Sequence, residues 1–468
     1  GDLERIVAMG TEAYLNSQLH PQTGTFPQNV VSVLRGLPSF GMNSADAYAA
    51  YWWKDQVADP KSLPKEEKKK LKRREKQVTR EAQIARVARA VGSPWQLHEA
   101  LVEFWFNHFN VYEKKGAIKV WIGSYEEEAI RPHTLGRFSD LLLATARHPA
   151  MLVYLDNAQN VAPVEGAQDE MSGTLPGKKN ARGINENYAR EVMELHTLGV
   201  DGGYTQADVI SLAHILTGWT VGPGAESDVA MAAEKFGKNK GAFRFARGRH
   251  DPSAEILLGR RFSGDGASEG EAALLMLAAH PATAHHISFQ LAQYFVADTP
   301  DPELVAAMAT TFRGTGGDIR AVLTTMLAHR AFLAPANFGM KFKTPYRYVV
   351  SAARASAIAP PNVRPLVRAL TDLGQPLYGC ISPDGYACTQ SAWLDPDGLL
   401  HRVSLAMQIG SGAFGGIDGA GDFDPPDPDR ILAAVGPALG STTLAVLART
   451  PRATRAGAIL GGPDFMRC

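Results

Sequence analysis

At 468 residues the chain is long enough for one large domain or two ordinary ones, and with 45% hydrophobic and 21% charged residues its composition is that of a globular protein. Lys+Arg and Asp+Glu both number 48, so the net charge is zero and nothing electrostatic points to nucleic acid or an anionic membrane. No stretch approaches the ~18 consecutive apolar residues of a membrane span.

The chain starts at Gly1 without a Met, as a processed mature form or a trimmed chain would. Leu3, Ile6, Val7, Tyr14 and Leu15 form a helical stripe. A long helix is predicted from Lys65 to about Val91, ended by G-S-P at Gly92–Pro94. Its basic run Lys68–Arg74 follows Glu66 and Glu67 and reads as a solvated face. A second helix starts near Pro94. Further helices are predicted over Leu135–His148, Asn187–Leu198, Gln206–Thr217, Gly270–Ala279, Ala282–Val296, Pro302–Phe312 and Asp318–His329. Thr205 and Asp208 have the spacing of a reciprocal cap. K-V-W-I near Lys119 and A-F-R-F-A near Ala242 are the strand candidates. Two long irregular insertions, Ala158–Gly183 and Val221–Arg249, flank the Asn187 helix and are expected to wall or cover it. The expected fold is therefore mainly α: one large multi-helix domain over 1–410 with at most a small hairpin. A Gly/Asp/Pro-rich arm and two short C-terminal helices over 411–468 are expected to pack back on it.

Cys380 and Cys388 lie in the turn-rich stretch Y-G-C-I-S-P-D-G-Y-A-C-T, whose spacing suits a disulfide-closed loop and an oxidising compartment. Cys468 is a spare thiol.

The segment N-E-N-Y-A-R-E-V-M-E-L-H at Asn185–His196 is the strongest candidate site. At about 100° per residue, Tyr188, Val192 and Leu195 face the core while Asn187, Arg190, Glu191 and Glu194 share the other side. Carboxylates three residues apart interact, so the pair can divide into acid and base, bind a cation, or engage Arg190 as a charged surface face. His196 projects to the apolar side and reads as a core residue. The second cluster, E-F-W-F-N-H-F-N-V at Glu103–Val111, interleaves aromatic and polar groups in the manner of a sugar-binding surface or an aromatic helix end. Weaker candidates are Asp156 in L-D-N, Trp219 in T-G-W-T, and His250 with Asp251 in R-H-D. Zinc-protease, P-loop, serine-elbow and dinucleotide-binding signatures are absent.

These motifs, with H-P-A-M-L-V-Y-L-D-N from His148, H-P-A-T-A from His280, K-T-P from Lys343 and G-Q-P-L-Y from Gly374, closely resemble the bacterial family called domain of unknown function 1800. The resemblance runs through nearly the whole chain in order. It implies an exported, mostly helical protein, commonly encoded beside a sulfatase-like partner, and supplies no reaction. Relatives usually read F-W-H-N-H-F, whereas Phe106 stands here in place of the first histidine, which weakens a metal reading.

The leading expectation is an exported, periplasmic or secreted, carbohydrate-active hydrolase acting on a polysaccharide or oligosaccharide without a cofactor or metal. Glu191 and Glu194, or one of them with Glu103 or Asp156, would supply acid and base or nucleophile, one from this helix and one from another segment. Trp105, Tyr188 and Trp219 would be platforms. Asn107, Asn187 and His108 would contact hydroxyls, with Asn185, Arg190, His250 and Asp251 nearby. The alternatives are a non-catalytic envelope protein that binds polysaccharide or a protein partner, and a metal-assisted hydrolase or oxidoreductase using His108, Glu191, Glu194 and His250.

Overall fold

The computed structural model describes residues 2–22, 24–163, 184–222, 241–416 and 423–468. Most of both long insertions, 164–183 and 223–240, lies outside the described residues, and so does their expected role as walls or a lid.

The protein is mainly α-helical. Helix Lys65–Gly92 is its axis. The basic run in its first half is solvent-facing, as expected, with the Arg74 guanidinium over the Tyr51 ring. Its second half is buried on several sides, by helices Gln28–Arg35, Ile118–Ser124 and Pro345–Ala355. Burial of that half brings Arg86 and Arg89 inside, where they require carboxylate partners. Glu126 meets Arg86 at 3.5 Å, Arg89 at 3.2 Å and Arg131 at 2.8 Å, Glu127 meets Arg89 at 2.5 Å, and Glu99 meets Arg131 at 2.9 Å. Three guanidiniums and three carboxylates thus neutralise one another inside the helical layer.

K-V-W-I does not form a strand. It lies in helix Ile118–Ser124, where Ile118, Val120, Trp121 and Ile122 are all buried and the surrounding helices override local β preference. The strand expected near Ala242 is present, Ala242–Phe245, pairing antiparallel with Trp219–Gly222 in the register Trp219↔Phe245. A second pair, Glu255–Leu257 with Arg260–Phe262, escaped the sequence reading because each strand has only three residues.

Several motifs are helix starts. In H-P-A, the His148 and His280 rings accept a hydrogen bond from the backbone N–H two residues on, at 3.2 Å, with Pro at the first helical position. The Thr344 hydroxyl caps helix Pro345–Ala355 by accepting the N–H of Arg347, three residues on, which accounts for K-T-P. The Thr205–Asp208 capping box forms as predicted. Three short helices, not two, close the chain: Pro428–Val435, Ser441–Arg449 and Arg452–Leu460. The last packs on helix Pro396–Gly410, and Lys341 and Cys468 exchange backbone hydrogen bonds.

Candidate active site

The segment after Ile184 is fixed by asparagines. Asp156 adopts a left-handed conformation (φ 62°). The Asn187 amide donates to the Leu155 carbonyl (3.3 Å), and the Asn160 side-chain oxygen accepts the Asn185 N–H (2.9 Å). Asn185 and Asn187 therefore anchor a helix start. Asp156 pairs with Lys115 at 2.8 Å, and Arg190 turns to Glu186 (3.0 Å) and Gln206 (2.9 Å), so that among the described residues Glu191 and Glu194 have no arginine hydrogen bond.

The expected single helix is α-helical only over Asn187–Glu191 and widens into a π turn over Val192–Thr197, closed by Leu198 N–H to Met193 O at 2.9 Å. The wider turn releases two carbonyls for histidines. His108 Nε2 lies 3.1 Å from the His196 carbonyl, and His286 Nε2 lies 3.3 Å from that of Leu195. Burial and the neighbouring His286 push His108 down to about 3, so the ring is neutral. A carbonyl only accepts, so the neutral His108 donates through Nε2; its Nδ1 faces the Gln290 side-chain oxygen at 2.7 Å, and the alternative orientation of that amide, with its NH2 in this place, donates to the ring. His196 is buried, and burial with His108 and His286 lowers its pKa too.

This buried pair makes stability acid-sensitive. The fold holds His108 and His196 neutral, so the native state binds fewer protons than the unfolded chain. Stability is complete above the unfolded value near 6.5 and is lost as pH falls below it, by about 1.4 kcal/mol per histidine per pH unit. Unfolding free energies from urea titration should drop between pH 7 and pH 5, with roughly 2 kcal/mol from His108 and a further part from His196. A midpoint unchanged over that range would refute the neutral assignment.

F-W-F-N-H-F-N is a clamp. Asn107 donates to the Tyr386 carbonyl (2.8 Å) and accepts its N–H (2.7 Å), while the Asn110 amide donates to the carbonyls of Ser382 (2.7 Å) and Cys380 (3.2 Å). Gly385 (φ +73°) passes so close that a Cβ would lie 2.4 Å from the Asn107 carbonyl oxygen. The clamped loop carries Asp384 towards Glu191. Burial first, then the charges of Glu194 and Asp384, raise the Glu191 carboxyl above its ordinary value against the opposing pull of Arg190. Tyr204 donates to Glu194 at 3.1 Å, and Tyr154 holds the loop through the Ile381 carbonyl at 2.7 Å.

Beside this carboxylate group a polar cavity of about 160 Å³ is lined by Glu103, His108, Leu195, Gln290, Asp384 and Tyr386, among others. Glu103 is buried there and accepts a hydrogen bond from the Tyr294 hydroxyl.

Other candidates lie elsewhere. Trp105 is fully buried with its indole N–H on the Thr134 carbonyl (3.1 Å), Tyr188 donates to the Ala146 carbonyl (3.3 Å), and Trp219 packs so tightly that Gly270 has no room for a Cβ. None of the three has a ring face left for a sugar. Asp251 meets His214 at 2.6 Å, and the His250 ring lies 3.2 Å from the Thr217 hydroxyl, in a separate cluster by the hairpin. Among the described residues no three His, Cys, Asp or Glu side chains converge as metal ligands.

No disulfide joins Cys380 to Cys388. The Cys380 thiol turns to the Ser382 carbonyl (3.6 Å) and Cys388 to the Gln293 side chain (3.6 Å), so clamping by Asn107 and Asn110 closes the loop without a covalent bond. The argument for an oxidising compartment loses its internal support. Denatured protein should incorporate three equivalents of a thiol reagent without reductant, and one equivalent would restore the disulfide.

Sequence reasoning missed Asp384, Tyr204 and Gln290. The P-D-G turn in the cysteine loop signalled a tight bend, but nothing local indicated where that bend would dock.

A family profile described as "Protein of unknown function (DUF1800)" matches residues 1–467. No curated protein and no solved structure matches the chain.

Proposed function

The chain belongs to the DUF1800 family, whose description names no reaction, and from the geometry of its own residues we propose that it is a carbohydrate-active hydrolase of the glycosidase type. The observation that carries this reading is the environment of Glu191. Its carboxyl is biased towards the protonated form by burial, Glu194 and Asp384, while Arg190 is engaged with Glu186. A carboxyl raised in pKa beside another carboxylate suits the division of labour that glycoside hydrolysis needs.

In this reading Glu191 gives its proton to the glycosidic oxygen as the bond to the anomeric carbon breaks. Asp384 or Glu194 either activates a water for attack on that carbon or attacks it directly. Glu103 and Gln290 in the adjoining cavity meet the sugar hydroxyls, and the half-buried rings of Tyr204 and Tyr386 replace the tryptophans as contact surfaces. A place outside the cytoplasm and a sulfatase-like partner, both implied by the family resemblance, belong to the same proposal.

The test is incubation with a panel of neutral, uronate-containing and sulfated polysaccharides, measuring new reducing ends. Release from at least one is expected. Saturable binding without release would instead make the protein a non-catalytic binder.

A further inference from the structure

The most spacious cavity described, about 1170 Å³, is remote in sequence from Glu191 and is not lined by any of the proposed catalytic groups. It is somewhat larger than the roughly 300–1,000 Å³ of typical small-molecule sites. One wall is apolar, built from Phe26, Leu34, Leu37 and Phe40. The facing wall carries Arg89 and Arg131, whose charges are matched by Glu99, Glu126 and Glu127.

The rim is not matched. Arg35, Arg137 and Arg320 stand there against Asp140 and Asp318. Asp318 is further committed to capping helix Ile319–Ala328 through the Ala321 N–H at 2.9 Å. Arg137 uses one nitrogen on the carbonyls of Thr315 (3.1 Å) and Gly316 (3.3 Å), and Arg320 donates Nε to the Leu19 carbonyl (2.8 Å). A guanidinium has five N–H donors, so both retain unspent ones. Arg35 has no ion pair among the described residues, and the indole N–H of Trp95, which also lines the cavity, has no acceptor. The unspent rim groups are thus chiefly donors, so a complementary ligand brings acceptor oxygens and negative charge on an apolar body.

We infer that this cavity is a binding site for a small organic anion: an apolar ring or chain bearing a carboxylate, sulfonate or sulfate. The inference is independent of the glycosidase reading and stands or falls without it.

The probe is 8-anilinonaphthalene-1-sulfonate, titrated into the full chain by fluorescence and calorimetry. One saturable site with blue-shifted emission is expected. The uncharged N-phenyl-1-naphthylamine should bind at least about tenfold more weakly, since it brings no charge to the arginine rim. Arg35→Glu, at an exposed position, and Leu37→Trp, which fills the apolar side, should each weaken sulfonate binding about tenfold with melting midpoints unchanged. Absence of binding, or both variants binding like the parent, overturns the site. Equal affinity for the two probes, or loss in Leu37→Trp with retention in Arg35→Glu, overturns its anionic assignment. Should Leu37→Trp fail to fold, Arg35→Glu and the probe pair still decide the question.

Discussion

Glu191→Gln is expected to lower reducing-end release by at least ~10²-fold while leaving the melting midpoint close to that of the parent. Glutamine keeps the size of the side chain but cannot deliver the proton. Among the described residues no arginine is hydrogen-bonded to Glu191, so no buried ion pair there is broken and the fold has little to lose. The pH profile provides a second readout. A general acid works only while protonated, so the parent's rate is expected to fall as pH rises through the Glu191 pKa, which burial and Glu194 raise above the ordinary glutamate value. In Glu191→Gln this falling limb disappears from the residual rate. A variant that retains the full rate would move the chemistry off this helix, with Glu103 and Asp384 the next residues to replace.

The largest expected effect on stability comes from Glu126→Ala, which destabilises the protein by about 3–5 kcal/mol. Glu126 is almost wholly buried, touches Arg86, Arg89 and Arg131, and accepts the Tyr378 hydroxyl at 2.8 Å. Burial alone would raise its pKa, but the three guanidiniums outweigh burial and hold it ionised. Removing it leaves three largely buried cations facing Glu99 and Glu127, one charge short, and only the cavity side of Arg89 and Arg131 is open to water in its place. The control is Glu303→Gln, which breaks the exposed pair with Arg330 and should cost less than about 1 kcal/mol. Urea unfolding of the two variants separates these outcomes, and equal small losses would show that water reaches the network.

Much of the helical layout was legible because caps and periodicity are local. The long helix, the capping box at Thr205 and the boundaries around Pro302 and Asp318 all appear within a residue or two of their expected places. The π turn was not, since it arises when His108 and His286, from other helices, take up the Leu195 and His196 carbonyls. Uniform 100° spacing therefore gave Glu194 and His196 directions that the wider turn alters. Aromatic platforms were misread for a related reason: an aromatic beside polar residues looks the same in sequence whether it lines a groove or, like Trp105, plugs the interior. The three buried arginines were equally hidden, because on a charged helix nothing local marks which face other helices will cover.

The reach of the Asn107 clamp has a bearing on timing. Its partner, Tyr386, lies 279 residues further along the chain. A ribosome therefore releases Glu191 and Glu194 long before Asp384 exists, and docking at Asn107 needs a contact of high sequence separation, which forms late. Until then the growing polypeptide carries an isolated acidic helix with no third carboxylate beside it. Under the proposed function, competence is acquired as a unit on completion of the fold, and chains interrupted before the loop are expected to release no reducing ends.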